Sequence, residues 1–225
     1  MRIRRLVLLR HGQTEYNAGS RMQGQLDTDL SDLGRAQAVA AAEVLAKRQP
    51  LIIVSSDLRR AYDTAVTLGD RTGVEVDVDT RLRETHLGDW QGLTHTEVDD
   101  IAPGARLAWR DDARWAPHGG ESRVDVAERS LPLVVDLIAS QTEWGAEESD
   151  RPVVLVAHGG LIAALTAALL GIPVDTWPIL GGMGNASWVQ LAGHSPADAP
   201  GDDFAAIKWR LDVWNASAQV ANDVL

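Results

Sequence analysis

The chain has 225 residues and a formal net charge of −11, from 32 Asp and Glu against 21 Lys and Arg, and it contains no cysteine. Disulfides, thiolate metal sites and a cysteine nucleophile are thereby excluded, and duplex nucleic acid or an anionic membrane is a poor partner for so acidic a surface. A cytoplasmic protein fits best, and any anionic ligand must find a local positive pocket.

The apolar run Leu6 to Leu9 is only four residues long before Arg10 and His11 interrupt it, so Ile3 to Leu9 reads as a buried first strand rather than a secretion signal. Ser31 can cap a helix whose Leu33, Ala36, Ala40 and Val44 share one face and which ends near Pro50. Leu51 to Val54 is a second buried strand. Ser56 can cap the next helix, from Asp57 to about Leu68, and Gly73 leads into the alternating strand Val74, Val76, Val78.

From Arg81 to Gly120 the periodicity breaks up, and this stretch is expected to form a cap-like excursion within one domain that spans 1–225. Ser122 and Asp125 form a capping box for a helix carrying Val124, Ala127, Leu131, Val134 and Ile138 on one face, with a kink expected at Pro132. Pro152 to Val156 is a central strand, followed by His158-Gly159-Gly160 and an Ala/Leu-rich helix to Leu170. Strands at about Ala186–Leu191 and Phe204–Trp214 complete the sheet, the latter alternating like a half-buried edge strand. The expected fold class is α/β. It is a three-layer sandwich with a mainly parallel central sheet between helices, the excursion lying over the strand C-terminal edge.

Three polar clusters follow strands directly: Arg10-His11-Gly12, Ser55-Ser56 through Arg60, and His158-Gly159-Gly160. In a parallel sheet those positions converge on one edge. Glu84 enters the excursion that would close over it. Each cluster alone is readily structural, but their joint placement offers two guanidinium groups, two imidazoles, a carboxyl group and two helix N-termini, which suits a phosphate dianion. Neither a P-loop nor a zinc-type His spacing is present, and nothing in the sequence requires a metal or cofactor.

At these residues the chain resembles the histidine phosphatase superfamily, which has the phosphoglycerate-mutase-like fold. The likeness runs through Arg10-His11-Gly12-Gln13-Thr14-Glu15-Tyr16-Asn17, then Arg21-Met22-Gln23-Gly24, Ser55 to Ala61, Leu82-Arg83-Glu84, Gly120-Glu121-Ser122 and His158-Gly159-Gly160. It implies a metal-independent phosphomonoesterase in which His11 is the nucleophile and forms a phosphohistidine. Arg10, Arg60, His158 and Asn17 would hold the phosphoryl oxygens, Gln23, Gly24 and Gly159 would lie at the substrate side, and Glu84 would serve as acid and then base. The spacing to Ala61 and Thr64 selects Arg60 over Arg59, which should face solvent.

Within the family the likeness is strongest to members acting on a small phosphorylated glycoside, carried by Asp57–Thr64, Glu84–His95 and Trp209–Gln219. A mutase and a silent phospholigand-binding module are the rival readings, the first disfavoured by the compact interval between Glu84 and His158. Trp90, Trp109 and Trp115 are candidates for a sugar face, and Arg106, Arg110, Arg114 and His118 for a second anionic group. A homodimer through the C-terminal strand, with Trp214 on its outward face, is the expected assembly.

Overall fold

In the computed structural model, which describes residues 1–146, 149–197, 200 and 203–218, six strands form one sheet in the order β3-β2-β4-β1-β5-β6. They are β1 (Arg2–Arg10), β2 (Ile52–Ser55), β3 (Val76–Val78), β4 (Val153–Ala157), β5 (Trp188–Ser195) and β6 (Lys208–Ala216). The first four run parallel, while β5 and β6 are antiparallel to their neighbours. The end of the tail likeness, Gln219, lies outside the described residues.

Strand periodicity sorts the core onto two faces. Leu6, Leu8, Val54, Val153 and Leu155 point to one side, where α6 (Arg123–Ser140) and α7 (Gly159–Leu169) cover them. Val7, Leu9, Ile53, Val154 and Val156 point to the other, against α2 (Asp32–Leu45) and α3 (Arg59–Thr72). The expected three layers are therefore present. The capping box at Ser122 forms as expected, and α6 runs on through Pro132.

Three expectations need correction. The buried face of α2 is Gly34, Ala38, Ala41, Ala42 and Leu45, while Leu33, Val39 and Val44 are exposed. Small alanines let α2 lie close to Ala61, Ala65 and Leu68 of α3, and that closeness outweighs the larger but misplaced side chains. Ser56 does not cap α3. The helix begins beyond its reach, and the exposed first-turn N–H of Arg59 is met instead by Asp27 Oδ1 at 2.8 Å. In β6, Trp214 packs partly buried against the main core rather than facing outward.

The excursion contains two helices too short to show a period, α4 (His95–Ile101) and α5 (Ala105–Asp111). They close over a small core of Met22, Leu87, Trp90 and Val98, with Trp109 and Trp115 packed on it. An isolated bridge between Arg21 and Thr94 ties it to the segment after α1 (Glu15–Ala18).

Candidate active site

Arg10 at the end of β1 pairs in register with Ala157 at the end of β4, so the next residues, His11 and His158, emerge side by side with ring centroids 5.1 Å apart. Nδ1 of His11 lies 2.6 Å from the Gly12 carbonyl oxygen. A carbonyl only accepts, so Nδ1 carries the hydrogen and Nε2 of the neutral ring keeps its lone pair. Burial, followed by the charges of Arg60 and Arg10, holds the His11 pKa well below the ordinary histidine value. Burial does the same to His158, helped by Arg60, His11 and Arg10.

The loop that carries His11 is seated by close backbone approach. The Gly12 N–H donates to Thr64 Oγ1 at 3.1 Å, and a Cβ on Gly12 would stand 2.2 Å from the Gly34 carbonyl oxygen. Only glycine permits the loop to rest on the start of α2 there.

The lowered histidine values have a consequence for stability. An unfolded chain takes up protons on both imidazoles below about pH 6.5 while the folded chain does not, so stability is retained above that pH and lost as pH falls below it. The expected loss is up to about 1.4 kcal/mol per histidine per pH unit. Urea midpoints at successive pH values check this, and His158→Gln should flatten the slope by one proton.

Arg60 is buried to 1% exposure, with Nη1 donating to the Leu26 carbonyl at 2.7 Å and Nη2 to that of Gly24 at 2.8 Å. Burial lowers its pKa to about 10, and Arg10 adds to the effect against Glu84 and Asp27. It stays charged at neutral pH. Arg10 Nη1 donates to the Met183 carbonyl. The Nε groups of both arginines and both ring nitrogens of His158 are enclosed without a hydrogen-bond partner. Such groups are rare and cost about 1–3 kcal/mol each, and several around one point define a place that an oxyanion completes. Arg59, as expected, is solvent-exposed and pairs with Asp27 and Asp29.

Asn17 is the third residue of the α1 capping box. Its Oδ1 accepts from the Thr14 N–H and from Asn185 Nδ2, each at 3.1 Å, which leaves its own Nδ2 to donate at the cleft it lines. Gln23 is buried, and its Oε1 accepts from Thr28 Oγ1 at 2.7 Å. Gly24 adopts φ +55° and a Cβ there would meet Gln91 Oε1 at 2.4 Å, so this turn, which holds Arg60, also admits only glycine.

Glu84 reaches the start of α7. Its Oε2 accepts from the Gly160 N–H at 3.1 Å, and its Oε1 accepts from the N–H groups of Leu161 at 3.0 Å and Thr85 at 2.8 Å. Gly160, rather than Gly159, lines the cleft, and a Cβ on it would sit 2.6 Å from Glu84 Oε1. Gly159 lies instead beside the Arg10 side chain.

The peptide of Glu84 is fixed from behind by Arg129 of α6, a residue that the sequence did not single out. Its Nη2 donates to the Glu84 carbonyl at 2.9 Å and its Nη1 to that of Arg81 at 2.8 Å, while Nε pairs with Glu121 at 2.8 Å. Arg129→Gln is expected to cost about 2 kcal/mol of stability and to lower kcat about tenfold by freeing that peptide. Melting temperature and steady-state kinetics check both effects.

Arg10, His11, Asn17, Arg21, Gln23, Gly24, Arg60, Glu84, Thr85, Leu87, Trp109 and Gly160 line one cleft of about 130 Å³. Arg106, Arg110, Arg114 and His118 are not among them. Arg106 pairs with Asp99 and Arg114 with Asp175, so their charge is met within the chain, and His118 Nδ1 lies 2.9 Å from Asp89 Oδ2. The sequence reading also passed over Asn185 and Met183, although a Gly181-Gly182-Met183-Gly184-Asn185 loop opening into a strand was a visible signal. Among the described residues, no three His, Cys, Asp or Glu side chains are grouped to hold a metal.

The family model for the histidine phosphatase superfamily, branch 1, matches residues 6–198. The chain belongs to that superfamily. A glucosyl-3-phosphoglycerate phosphatase of Mycolicibacterium vanbaalenii is 84% identical over 225 residues, covering all of both chains. The enzyme of the same name from Mycobacterium tuberculosis H37Rv is 78% identical, again over the whole of both. Among solved structures, the mycobacterial glucosyl-3-phosphoglycerate phosphatase complex with VO3 superposes with a TM-score of 0.91 at 77% identity, covering 95% of this chain and all of that one. The complex with inorganic phosphate gives 0.89 at 75% identity, covering 97% and 100%. This likeness extends to the fold as a whole, sheet and helices together.

Proposed function

We propose that this chain is a phosphatase that hydrolyses glucosyl-3-phosphoglycerate to glucosylglycerate and phosphate through a phosphohistidine on His11, without a metal or other cofactor. The observation that carries the reading is a neutral imidazole with Nε2 free, lining one cleft with Arg10, Arg60 and Glu84 and standing beside the His158 ring. The full-length relatives supply the substrate, and the solved relatives with VO3 and phosphate support an oxyanion site.

In the first half-reaction Nε2 of His11 attacks phosphorus, the ester P–O bond breaks, and its electron pair goes to the leaving alkoxide. Glu84 gives a proton to that alkoxide as the ester bond breaks. Arg10, Arg60, His158 and Asn17 hold the three phosphoryl oxygens as charge shifts among them. Nδ1–H of His11 keeps its bond to Gly12 while the ring carries positive charge. In the second half, water attacks phosphorus and loses its proton to Glu84. The P–N bond breaks and Nε2 regains its lone pair as phosphate leaves.

Residues 1–225 act as one domain in this reading, with 81–120 as its cap. The reaction is a step towards polymethylated glucose polysaccharides. A cytoplasmic setting suits the cysteine-free chain and its phosphorylated glycoside, and no helix among the described residues is long and apolar enough to cross a membrane. The nine-residue β6 lies at the sheet edge, a free pairing ladder that favours a homodimer, which sedimentation at micromolar concentration tests.

Phosphate release from glucosyl-3-phosphoglycerate, 3-phosphoglycerate and simple sugar phosphates, in chelator and without added metal, tests the activity. Preferential release from the glucosylated ester is expected. Isomer interconversion outrunning release would replace the reading with a mutase, and binding without turnover would replace it with a silent module. Acid-labile phosphate on the peptide holding His11 in quenched turnover tests the intermediate.

A further inference from the structure

The cleft is much smaller than the roughly 300–1,000 Å³ that encloses a drug-sized ligand, so it holds the phosphoryl group and its ester carbon while the rest of the substrate extends outward. Arg21, Leu87 and Trp109 line it with no part in the phosphoryl chemistry.

Of the three tryptophans in the excursion, only Trp109 reaches the cleft. Trp90 is buried to 4% exposure, and Trp115 stacks on it at 5.4 Å between ring centroids. Trp109 is held edge-on against Trp90 at 6.1 Å, with the Arg123 guanidinium 5.6 Å from its ring centre. It lines the cleft beside Leu87, and the carbon face of the indole is what the ring offers a ligand there. A rigidly held, flat apolar wall matches the C–H face of a pyranose.

Arg21 is half-exposed. Among the described residues only its Nη1 is engaged, with the Gly92 carbonyl at 2.9 Å and with Glu97 at 3.7 Å, which leaves a guanidinium edge for an anion. Unlike Arg106 and Arg114 it has no tight carboxylate partner.

We propose that Arg21 and Trp109 form a second subsite that sets substrate choice, Arg21 pairing with the carboxylate of the phosphoglycerate and Trp109, with Leu87, backing the sugar ring. It rests on the glucosyl-3-phosphoglycerate reading, and the test separates the two. Three nested esters are compared by kcat/KM: glycerol 3-phosphate, 3-phosphoglycerate and glucosyl-3-phosphoglycerate. In Trp109→Leu the preference for the glucosylated ester over 3-phosphoglycerate should fall about tenfold, and Trp109→Phe should restore most of it. In Arg21→Gln the preference for 3-phosphoglycerate over glycerol 3-phosphate should fall about tenfold or more. Ratios that stay at the wild-type value in both variants, or a loss shared equally by all three esters, would overturn the proposal. A wild-type enzyme with no preference for the glucosylated ester would instead overturn the substrate reading itself.

Discussion

Replacing His11 with alanine is expected to lower kcat by about four orders of magnitude or more, leaving only water attack assisted by the remaining groups. The imidazole is the one neutral nucleophile placed among buried cations here, and its tautomer is dictated by a single carbonyl. His158 cannot substitute, because its ring centre stands 5.1 Å away at a different strand end and it is not among the residues that line the cleft. Truncation also leaves the Gly12 carbonyl without its donor, a cost of about 1–3 kcal/mol that melting should register while the fold persists. Phosphate release by the purified variant is the measurement. Turnover near the wild-type rate, with contamination excluded, would end the phosphohistidine scheme.

Glu84→Gln should lower kcat about 10²- to 10⁴-fold on an ester of an ordinary alcohol, because the amide neither gives the alkoxide its proton nor takes one from water. The isostere retains an oxygen for the Leu161 and Thr85 N–H groups but sets an amide nitrogen towards the Gly160 N–H. The cleft therefore keeps its shape while the hydrogen bond from Gly160 is broken. The diagnostic feature is a split by leaving group. With p-nitrophenyl phosphate, whose phenolate departs unaided, the first step should recover while hydrolysis of the phosphoenzyme stays slow. Phosphohistidine should then accumulate, visible as a burst of nitrophenolate. Equal losses on both esters without a burst would assign Glu84 a structural role instead.

The meeting of Arg10, His11 and Arg60 at one cleft was legible because they follow strand ends, and β1, β2 and β4 announce themselves as apolar runs with a polar residue immediately after. Burial then separated Arg60 from Arg59 in the direction that helix spacing indicated. The register of α2 was not legible. Two apolar stripes overlap in an alanine-rich helix, and a reading that favours bulky side chains chose Leu33 and Val44 where close packing against α3 needs Ala38, Ala41 and Ala42. The substrate-side half was also hidden. Arg21 and Trp109 sit in segments with no long period, and only tertiary structure distinguishes Trp109 from its neighbours or Arg129 from any helix-surface cation. Ion pairing likewise removed Arg106 and Arg114 from consideration, a matter of which aspartates stand beside them in space.

The central position of β1 carries a consequence for biosynthesis. Its two neighbours, β4 and β5, come from residues 153–157 and 188–195, so during synthesis β1 waits for partners that are made long after it. Arg10 leans on Met183, and Asn185 reaches both the His11 carbonyl and Asn17. No nascent fragment that stops short of these residues can hold His11 in place. Contacts of such long sequence separation make folding slow relative to local elements, and the cleft should assemble late, all at once, only after β4, β5 and the loop between them have been made.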